Sequence, residues 1–273
     1  YTVPEFELVR LFSGHENAVI KVAWSPDGRW LASASADNSV RTWEFETGIP
    51  GPTMVGHQDR VNAVAWHPEG QILASGCEDG VVRFWAFDGK PQCIGRSHTS
   101  SVYSVSWSPD GSRLASTGRD GTIRLWDATG QLKTVIDSKA EHIRSVAWRP
   151  DGQQLATTHH GAYDVRLWGI DGTPGPVLTG HKFIVTSDGG WMIAALNDGF
   201  QLWKRDGSPG PELKKHPGVR SVLWSPRGDK FAANLGQANS FFVRMWNADA
   251  TLSHVVSDDN SLSFDWSPDG EQL

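Results

Sequence analysis

The stretch Val40-Arg41-Thr42-Trp43-Glu44 decides the fold, because near copies of it recur along the chain. The copies are Val82-Arg83-Phe84-Trp85-Ala86, Ile123-Arg124-Leu125-Trp126-Asp127, Val165-Arg166-Leu167-Trp168-Gly169 and Val243-Arg244-Met245-Trp246-Asn247. With Trp203 included, the tryptophans at this place are separated by 42, 41, 42, 35 and 43 residues. One short strand is therefore repeated around the molecule.

A second repeated feature is a tight turn that follows an alternating strand. Val22-Ala23-Trp24 has the period of two that is typical of a strand with one packed face, and Ser25-Pro26-Asp27-Gly28 then suits a type I turn. The turn recurs as His67-Pro68-Glu69-Gly70, Ser108-Pro109-Asp110-Gly111, Arg149-Pro150-Asp151-Gly152, Ser225-Pro226-Arg227-Gly228 and Ser267-Pro268-Asp269-Gly270. Short antiparallel strands repeated about every 40 residues predict a β-propeller.

The composition sets limits on the class of protein. The chain of 273 residues has 14 Trp and 29 Gly but 3 Met, which favours a single all-β domain over residues 1–273. A net charge of −6 argues against nucleic-acid binding, and no apolar run is long enough to span a membrane. Two cysteines, Cys77 and Cys93, form no disulfide framework or metal motif, so we expect a reducing compartment, the cytoplasm.

The ordered motifs resemble a known family. Gly-His, Ser-Pro-Asp-Gly, an Asp and Val-Arg-Leu-Trp-Asp, at these spacings and over nearly the whole chain, are similar to the WD-repeat family of β-propellers. The resemblance implies blades of four antiparallel strands around a central channel, with the N-terminal strand closing the last blade. The Pro-Gly-Pro connections look like bacterial members, which suggests a fragment of a larger protein.

Seven blades are expected from these copies. Six lie at about 13–56, 57–97, 98–138, 139–180, 181–214 and 215–256, and the seventh combines 257–273 with the strand at 5–12. The seventh copy lacks its third strand, so we expect an incomplete last blade whose open edge allows self-association. In the fifth copy, His181 and Asp188 are close in sequence, which predicts a short innermost strand.

By resemblance, a structural hydrogen-bond tetrad of His, Ser, Asp and Trp should stabilise each complete blade. The three full sets are His15, Ser33, Asp37, Trp43; His57, Ser75, Asp79, Trp85; and His98, Ser116, Asp120, Trp126. Repetition inside blades makes these sets structural, not hydrolase triads. Lys139 and Ala162 replace the His and Asp of the fourth copy, and Lys215 and Ser240 those of the sixth.

Partner-binding positions also follow from the resemblance. The family exposes the residue after the first Val of the inner strand, the residue two before it, and the residue before the turn Asp. These rules select Arg60, Asn62, Glu78, Tyr103, Arg119, Arg144 and Arg220. The arginines suit an acidic or phosphorylated peptide and Tyr103 suits apolar contacts, although solvated surface arginines without a partner explain the same pattern.

We therefore expect a non-enzymatic scaffold that binds a protein or peptide on the loops around the channel. The alternative is the sensor or substrate-recruiting domain of a multidomain signalling enzyme whose catalytic module lies outside this chain. No nonrepeated cluster of titratable residues suggests catalysis, and no Gly-rich phosphate loop suggests a cofactor. His159 and His160 should point to opposite faces of a strand, which disfavours a metal site, and the third-strand arginines should keep their head groups in water.

Overall fold

A computed structural model describes residues 11–140, 142–149, 151–159, 164–179, 182–185, 191–196, 199–204, 209–214, 219–237, 240–247, 249–257 and 266–267. These residues form six antiparallel sheets of four strands each. Each sheet consists of four strands that are consecutive in the chain, so each is one blade and one sequence repeat.

The strands are short and regular in length. Blade one has β1 (Val19–Trp24), β2 (Trp30–Ser35), β3 (Ser39–Glu44) and β4 (Pro50–Val55), and blade two has β5 (Val61–Trp66), β6 (Ile72–Cys77), β7 (Val81–Ala86) and β8 (Pro91–Arg96). Blade three has β9 (Val102–Trp107), β10 (Arg113–Gly118), β11 (Thr122–Asp127) and β12 (Leu132–Asp137), and blade four has β13 (Ile143–Trp148), β14 (Gln154–His159), β15 (Asp164–Gly169) and β16 (Pro174–Thr179). Blade five has β17 (Lys182–Val185), β18 (Trp191–Leu196), β19 (Gly199–Lys204) and β20 (Pro209–Lys214), and blade six has β21 (Val219–Trp224), β22 (Lys230–Gln237), β23 (Ser240–Asn247) and β24 (Leu252–Ser257).

The turn between the first two strands of a blade is fixed by its own side chains. Ser25 Oγ donates to Asp27 at 2.6 Å and accepts the N–H of Trp30 at 2.9 Å. Gly28 closes the turn through its N–H to the Ser25 carbonyl, with φ of 71°, a conformation that favours glycine. This local network explains why the same four-residue pattern recurs in blade after blade.

The core lies between neighbouring blades. Val40 and Met54 of blade one pack with Val61, Val64 and Trp66 of blade two, and all five are buried. The inner-strand tryptophans also bond to the preceding inner strand: Trp66 Nε1 donates to the Ala23 carbonyl at 3.1 Å and Trp148 Nε1 to the Ser106 carbonyl at 2.9 Å. Blades two and four are therefore held to the preceding blade by apolar packing and by a directional bond, whereas Trp107 Nε1 of blade three has no hydrogen-bond partner among the described residues.

The expectation of seven blades is wrong for the part of the chain that the structure describes, where six four-stranded sheets are formed. Leu11 and Phe12, the described end of the predicted closing strand, are in no strand; Leu11 is exposed and Phe12 packs on Trp43 and Phe45. Trp266 packs against blade six and donates to the Leu223 carbonyl, but lies outside any strand. The predicted open edge at 5–10 and 257–273 falls almost entirely outside the described residues.

The short innermost strand of the fifth repeat is confirmed, because β17 has 4 residues whereas β1 has 6. The assignment of residues 1–273 to one domain stays a prediction. Within the described part of the chain, no helix has the length and hydropathy that crossing a membrane requires.

Candidate functional site

One end of the blades carries most of the sequence-predicted binding residues. We call it the loop face and define it by the residues before each first strand, at the start of that strand, and in the turn between second and third strands. Its described members are Ala18, Ile20, Ala36, Arg60, Asn62, Glu78, Ser101, Tyr103, Arg119 and Arg144.

Backbone hydrogen bonds bring these positions together in pairs. The N–H of Glu78 donates to the Arg60 carbonyl at 3.0 Å, and the N–H of Arg119 donates to the Ser101 carbonyl at 2.9 Å. The side chains of Arg60, Glu78 and Arg119 are exposed. The structure therefore presents them on one solvent-facing surface, as a binding face requires.

The inner-strand positions are selected by β-bulges. The register between first and second strands shifts between Val61 and Ala63, which leaves Asn62 as the extra residue. The same shift occurs around Ile20, Tyr103, Arg144 and Arg220 in blades one, three, four and six. Because a bulge re-aims the side chain of its extra residue, all five positions leave the alternation of the strand.

The bulged side chains also link neighbouring blades. Asn62 Nδ2 donates to the Val102 carbonyl of blade three at 3.1 Å. The Arg144 guanidinium lies over the Tyr103 ring, 5.7 Å from its centroid, which joins blades three and four by a cation–π contact. Arg220 lies on β21, and its side chain is outside the described part.

The tetrads of blades one and three form directly beneath this face. In blade one, His15 Nδ1 donates to Asp37 at 2.7 Å, and Ser33 Oγ contacts both His15 Nε2 at 2.7 Å and Trp43 Nε1 at 2.9 Å. In blade three the corresponding distances are 2.9 Å for His98 to Asp120, 2.8 Å for His98 to Ser116 and 2.8 Å for Trp126 to Ser116. The indole N–H groups of Trp43 and Trp126 thus both have an acceptor.

The tetrad carboxylates are held in the ionised form. Burial acts to raise the pKa of Asp120, but hydrogen bonds from His98, Thr122 and the Thr99 N–H outweigh it and lower the pKa well below the ordinary value. Burial lowers the pKa of His98, so this ring is neutral at pH 7 and donates from Nδ1. Near pH 7 the Asp120 carboxylate stays ionised and the His98 ring stays neutral. Groups that do not change protonation state are consistent with a structural role and not with acid–base catalysis.

Blade two departs from the other two tetrads because an arginine enters it. Arg83 Nε donates to His57 Nδ1 at 3.3 Å, so Nδ1 is an acceptor and Nε2 carries the proton that is donated to Ser75 at 2.7 Å. His57 Nδ1 and Asp79 Oδ2 are 3.6 Å apart, too far for a good hydrogen bond. His57 is therefore the opposite tautomer from His15 and His98.

One group of three potential metal ligands occurs among the described residues: His57, Cys77 and Asp79, whose ligand atoms lie within 4.8 Å of one another. The Cys77 thiol donates to the Asp59 carbonyl at 3.0 Å, as Ser35 Oγ does to Ala18 at 3.1 Å in blade one. Burial raises the pKa of Cys77 to about 12, and Arg83 occupies the His57 lone pair. The group therefore fits a structural thiol in the place of a serine, and not a metal ligand.

The third-strand arginines are more buried than the sequence predicts, and the expectation that their head groups stay in water is wrong for blades two and three. Arg83 and Arg124 are 7% and 8% exposed. Arg124 donates to Asp120 at 3.3 Å and to Ser97. These arginines extend the tetrads, because burying a guanidinium requires partners for its donors.

Blade four replaces its missing histidine from within its own sheet. Thr157 Oγ1 accepts the N–H of Trp168 at 2.8 Å and contacts His159 Nε2 at 3.0 Å. His159 is 6% exposed, and burial, then the nearby Arg166, lower its pKa. Lys139, which the sequence alignment places at the histidine position, instead pairs with Asp137 on the exposed surface. Ala162 and His160 lie outside the described residues.

Sequence reasoning missed three of these features. The bulges have no residue signature, since Ile20, Asn62, Tyr103 and Arg144 share no side-chain chemistry. The role of Arg83 was hidden because five of the six third strands carry an arginine at this position. His159 was a detectable signal: it lies two residues after Thr157 in a repeat that lacks the expected histidine.

Comparisons with known proteins match this architecture. The family model described as the first β-propeller of IFT122 matches residues 1–233. The chain is 52% identical over 42 residues to human WD repeat-containing protein 36, 55% over 38 residues to the probable cytosolic iron-sulfur protein assembly protein 1 of Vanderwaltozyma polyspora, and 56% over 36 residues to the Notchless protein homolog of Arabidopsis thaliana. The matched segments are 15%, 14% and 13% of this chain and 5%, 11% and 8% of those proteins. The chain thus spans a small part of the length of these relatives.

Proposed function

Because the chain belongs to the WD-repeat β-propellers through the family of the IFT122 first propeller, we propose that it is a non-enzymatic scaffold that binds a protein partner on the loop face. The observation that carries the proposal is the bulge at Asn62, Tyr103 and Arg144, which re-aims inner-strand side chains in successive blades. Rigid blades with locked tetrads support these side chains from beneath. Such pre-organisation lowers the entropic cost of binding.

The charge of the loop face favours an acidic or phosphorylated segment of the partner. Arg60 and Arg119 are exposed, and their guanidinium groups have no hydrogen-bond or ion-pair partner in the described part of the chain. Each offers two parallel N–H groups to a carboxylate or a phosphate. Arg144 on the Tyr103 ring adds a flat cationic and aromatic surface to the same face. The resemblance to bacterial members, the fragment and the cytoplasmic location stay predictions.

Charge reversal on the loop face tests this function. The variant Arg60→Glu with Arg119→Glu should reduce partner capture, read by mass spectrometry, at least tenfold, because two lost charge-assisted contacts are worth about 3 kcal/mol or more. The same variant should lose binding to a synthetic Glu-rich peptide and to a phosphoserine-containing peptide, measured by fluorescence anisotropy.

The matched control reverses two cations at the opposite end of the blades. Lys90→Glu with Arg227→Glu makes the same change in net charge at exposed turn positions. This control variant should capture as much partner as the original chain does. Equal capture by both double variants would contradict a charged loop-face site.

A further inference from the structure

A cleft lies between blades three and four, at the end of the blades opposite the loop face. It encloses about 470 Å³, a size suited to a few side chains of a ligand. Its lining includes Arg113, Leu125, Asp127, Lys133, Ile170 and Asp171. The cleft shares no residue with the loop face.

The corresponding grooves between earlier blades are filled. Trp30, Ile72 and Arg113 hold the same position, opposite the last residue of the third strand in their blades. Trp30 packs edge-on against Phe87 of blade two, with ring centroids 4.9 Å apart. Ile72 packs against the core between blades two and three. At the third interface Arg113 replaces these apolar side chains, and the groove beside Ile170 stays open.

The acidic residues of the cleft are already occupied by their own turns. Asp127 accepts from Thr129 and Gln131 and pairs with Lys133 at 2.8 Å, and the contact with Lys133, then that with Thr129, lowers its pKa. Asp171 accepts from Thr173 at 2.7 Å. Asp127 therefore balances the charge of Lys133, and in the described part of the chain Arg113 is the cation of the cleft whose charge is not balanced by an ion pair.

Arg113 is half-buried as a residue, and across the described residues its guanidinium has no ion pair or hydrogen-bond acceptor. A guanidinium without an acceptor in a cleft favours a planar anionic acceptor. Ile170 provides the apolar wall on the blade-four side of the cleft, and Leu125, which is 1% exposed, also lines the cleft from the buried core. The ligand chemistry that fits is a carboxylate next to an aliphatic side chain.

We propose that this cleft binds the C-terminal residue of a partner protein, with its carboxylate on Arg113 and an aliphatic side chain against Ile170. A chain terminus carries both groups on one Cα atom, which matches a cleft that has one unpaired cation beside one apolar wall. The site is a second interaction surface, independent of the loop face.

The test uses three acetylated tripeptides as probes: Gly-Gly-Leu with a free carboxylate, Gly-Gly-Leu amide, and Gly-Gly-Gly with a free carboxylate. Titrations are followed by the methyl signals of Leu125 and Ile170 in NMR spectra of the whole chain. The first probe should give saturable shifts, and the other two should bind at least tenfold more weakly. Equal binding of the free acid and the amide would overturn the proposal.

Variants of Arg113 separate binding from folding. Arg113→Gln should weaken the first probe at least tenfold, and Arg113→Trp, which copies Trp30, should fill the groove and abolish binding while the thermal midpoint is kept. The matched control Arg96→Gln removes an exposed arginine elsewhere and should bind like the original chain. The loop-face variant Arg60→Glu with Arg119→Glu should also bind normally. Retained binding in a folded Arg113→Gln variant would exclude the site.

Discussion

At the scale of single residues, Arg83 determines which nitrogen of His57 carries the proton. A guanidinium can only donate, so its contact with Nδ1 forces that nitrogen to accept. Protonating Nδ1 would place a second positive charge against Arg83 in a buried site. Burial, opposed by Asp79 and assisted by Arg83, lowers the pKa of His57 to about 4. The tetrad of blade two is therefore sensitive to acid.

This pKa predicts the direction of a pH effect on stability. The ordinary pKa of histidine is 6.5, so on acidification the unfolded chain takes up the proton first, and the folded state loses stability between about pH 6.5 and pH 4. From pH 7.5 to pH 5, His57 should contribute a loss of about 2 kcal/mol in the free energy of unfolding. The free energy of unfolding, measured by urea titration at each pH, should depend less steeply on pH in His57→Gln than in the original chain.

The slope of the unfolding free energy with urea concentration serves as the control, because it should stay constant if the native and unfolded states are unchanged. Parallel pH profiles for the two proteins would show that His57 has the same pKa in the folded and unfolded states, and would contradict the prediction. The burial of His98 and His159 lowers their pKa values too, so a residual pH dependence of the same sign should remain in the variant.

At the scale of elements, blade four shows that the indole acceptor matters more than the histidine position. Trp168 keeps its partner Thr157, and His159 supports that threonine from the same strand. In blades one to three, the histidine comes instead from the loop before the first strand. The physical requirement is a polarised hydroxyl beneath the indole, and two different chain segments can meet it.

The histidine of blade four can be tested against the residue that the alignment puts in its place. His159→Ala should lower the free energy of unfolding by about 2 kcal/mol or more, because it removes a buried ring and a contact of Thr157 Oγ1. Lys139→Ala should change it by less than about 0.5 kcal/mol, since the Lys139 to Asp137 pair is exposed. Urea unfolding of both variants makes the comparison, and equal effects would contradict the assigned role of His159.

Much of each blade could be predicted from its sequence, and the reasons are local. The turn at Ser25 to Gly28 is closed by its own atoms, and the tetrad of His15, Ser33, Asp37 and Trp43 has fixed spacings. The burial of Arg83 and the open groove beside Arg113 could not be predicted in this way. Both depend on which side chains a neighbouring blade presents, and a single repeat does not contain that information.

At the scale of the whole molecule, the number of blades was the prediction that failed. The repeats at 257–273 and 5–12 carry a partial signature, but a blade needs four strands that bond to one another. Where the chain is described near these segments, Phe12 packs against blade one and Trp266 against blade six without joining a strand, and Leu11 is exposed. Within the described residues, a motif count therefore gives one sheet more than the six that are formed.

Among the inner strands of the first four blades, that of blade one differs from the others in its packing. Val61, Val102 and Ile143, the first residues of β5, β9 and β13, are 0% exposed, whereas Val19, the first residue of β1, is 50% exposed. Their pairing is equivalent, because Val19 lies opposite Ser35 and Val61 opposite Cys77 at the same place in their sheets. The difference comes from what faces the strand, since Val61 is covered by blade one.

This difference predicts unequal costs for one and the same substitution. Val61→Ala should lower the free energy of unfolding by about 2 to 3 kcal/mol, because it removes two buried methyl groups and leaves a cavity. Val19→Ala should cost less than about 1 kcal/mol, since half of that side chain already contacts water. Urea unfolding at several protein concentrations should give these values independently of concentration. A Val19→Ala cost that matches Val61→Ala would show that Val19 is covered in solution, and a cost that grows with protein concentration would assign the cover to a second copy of the chain.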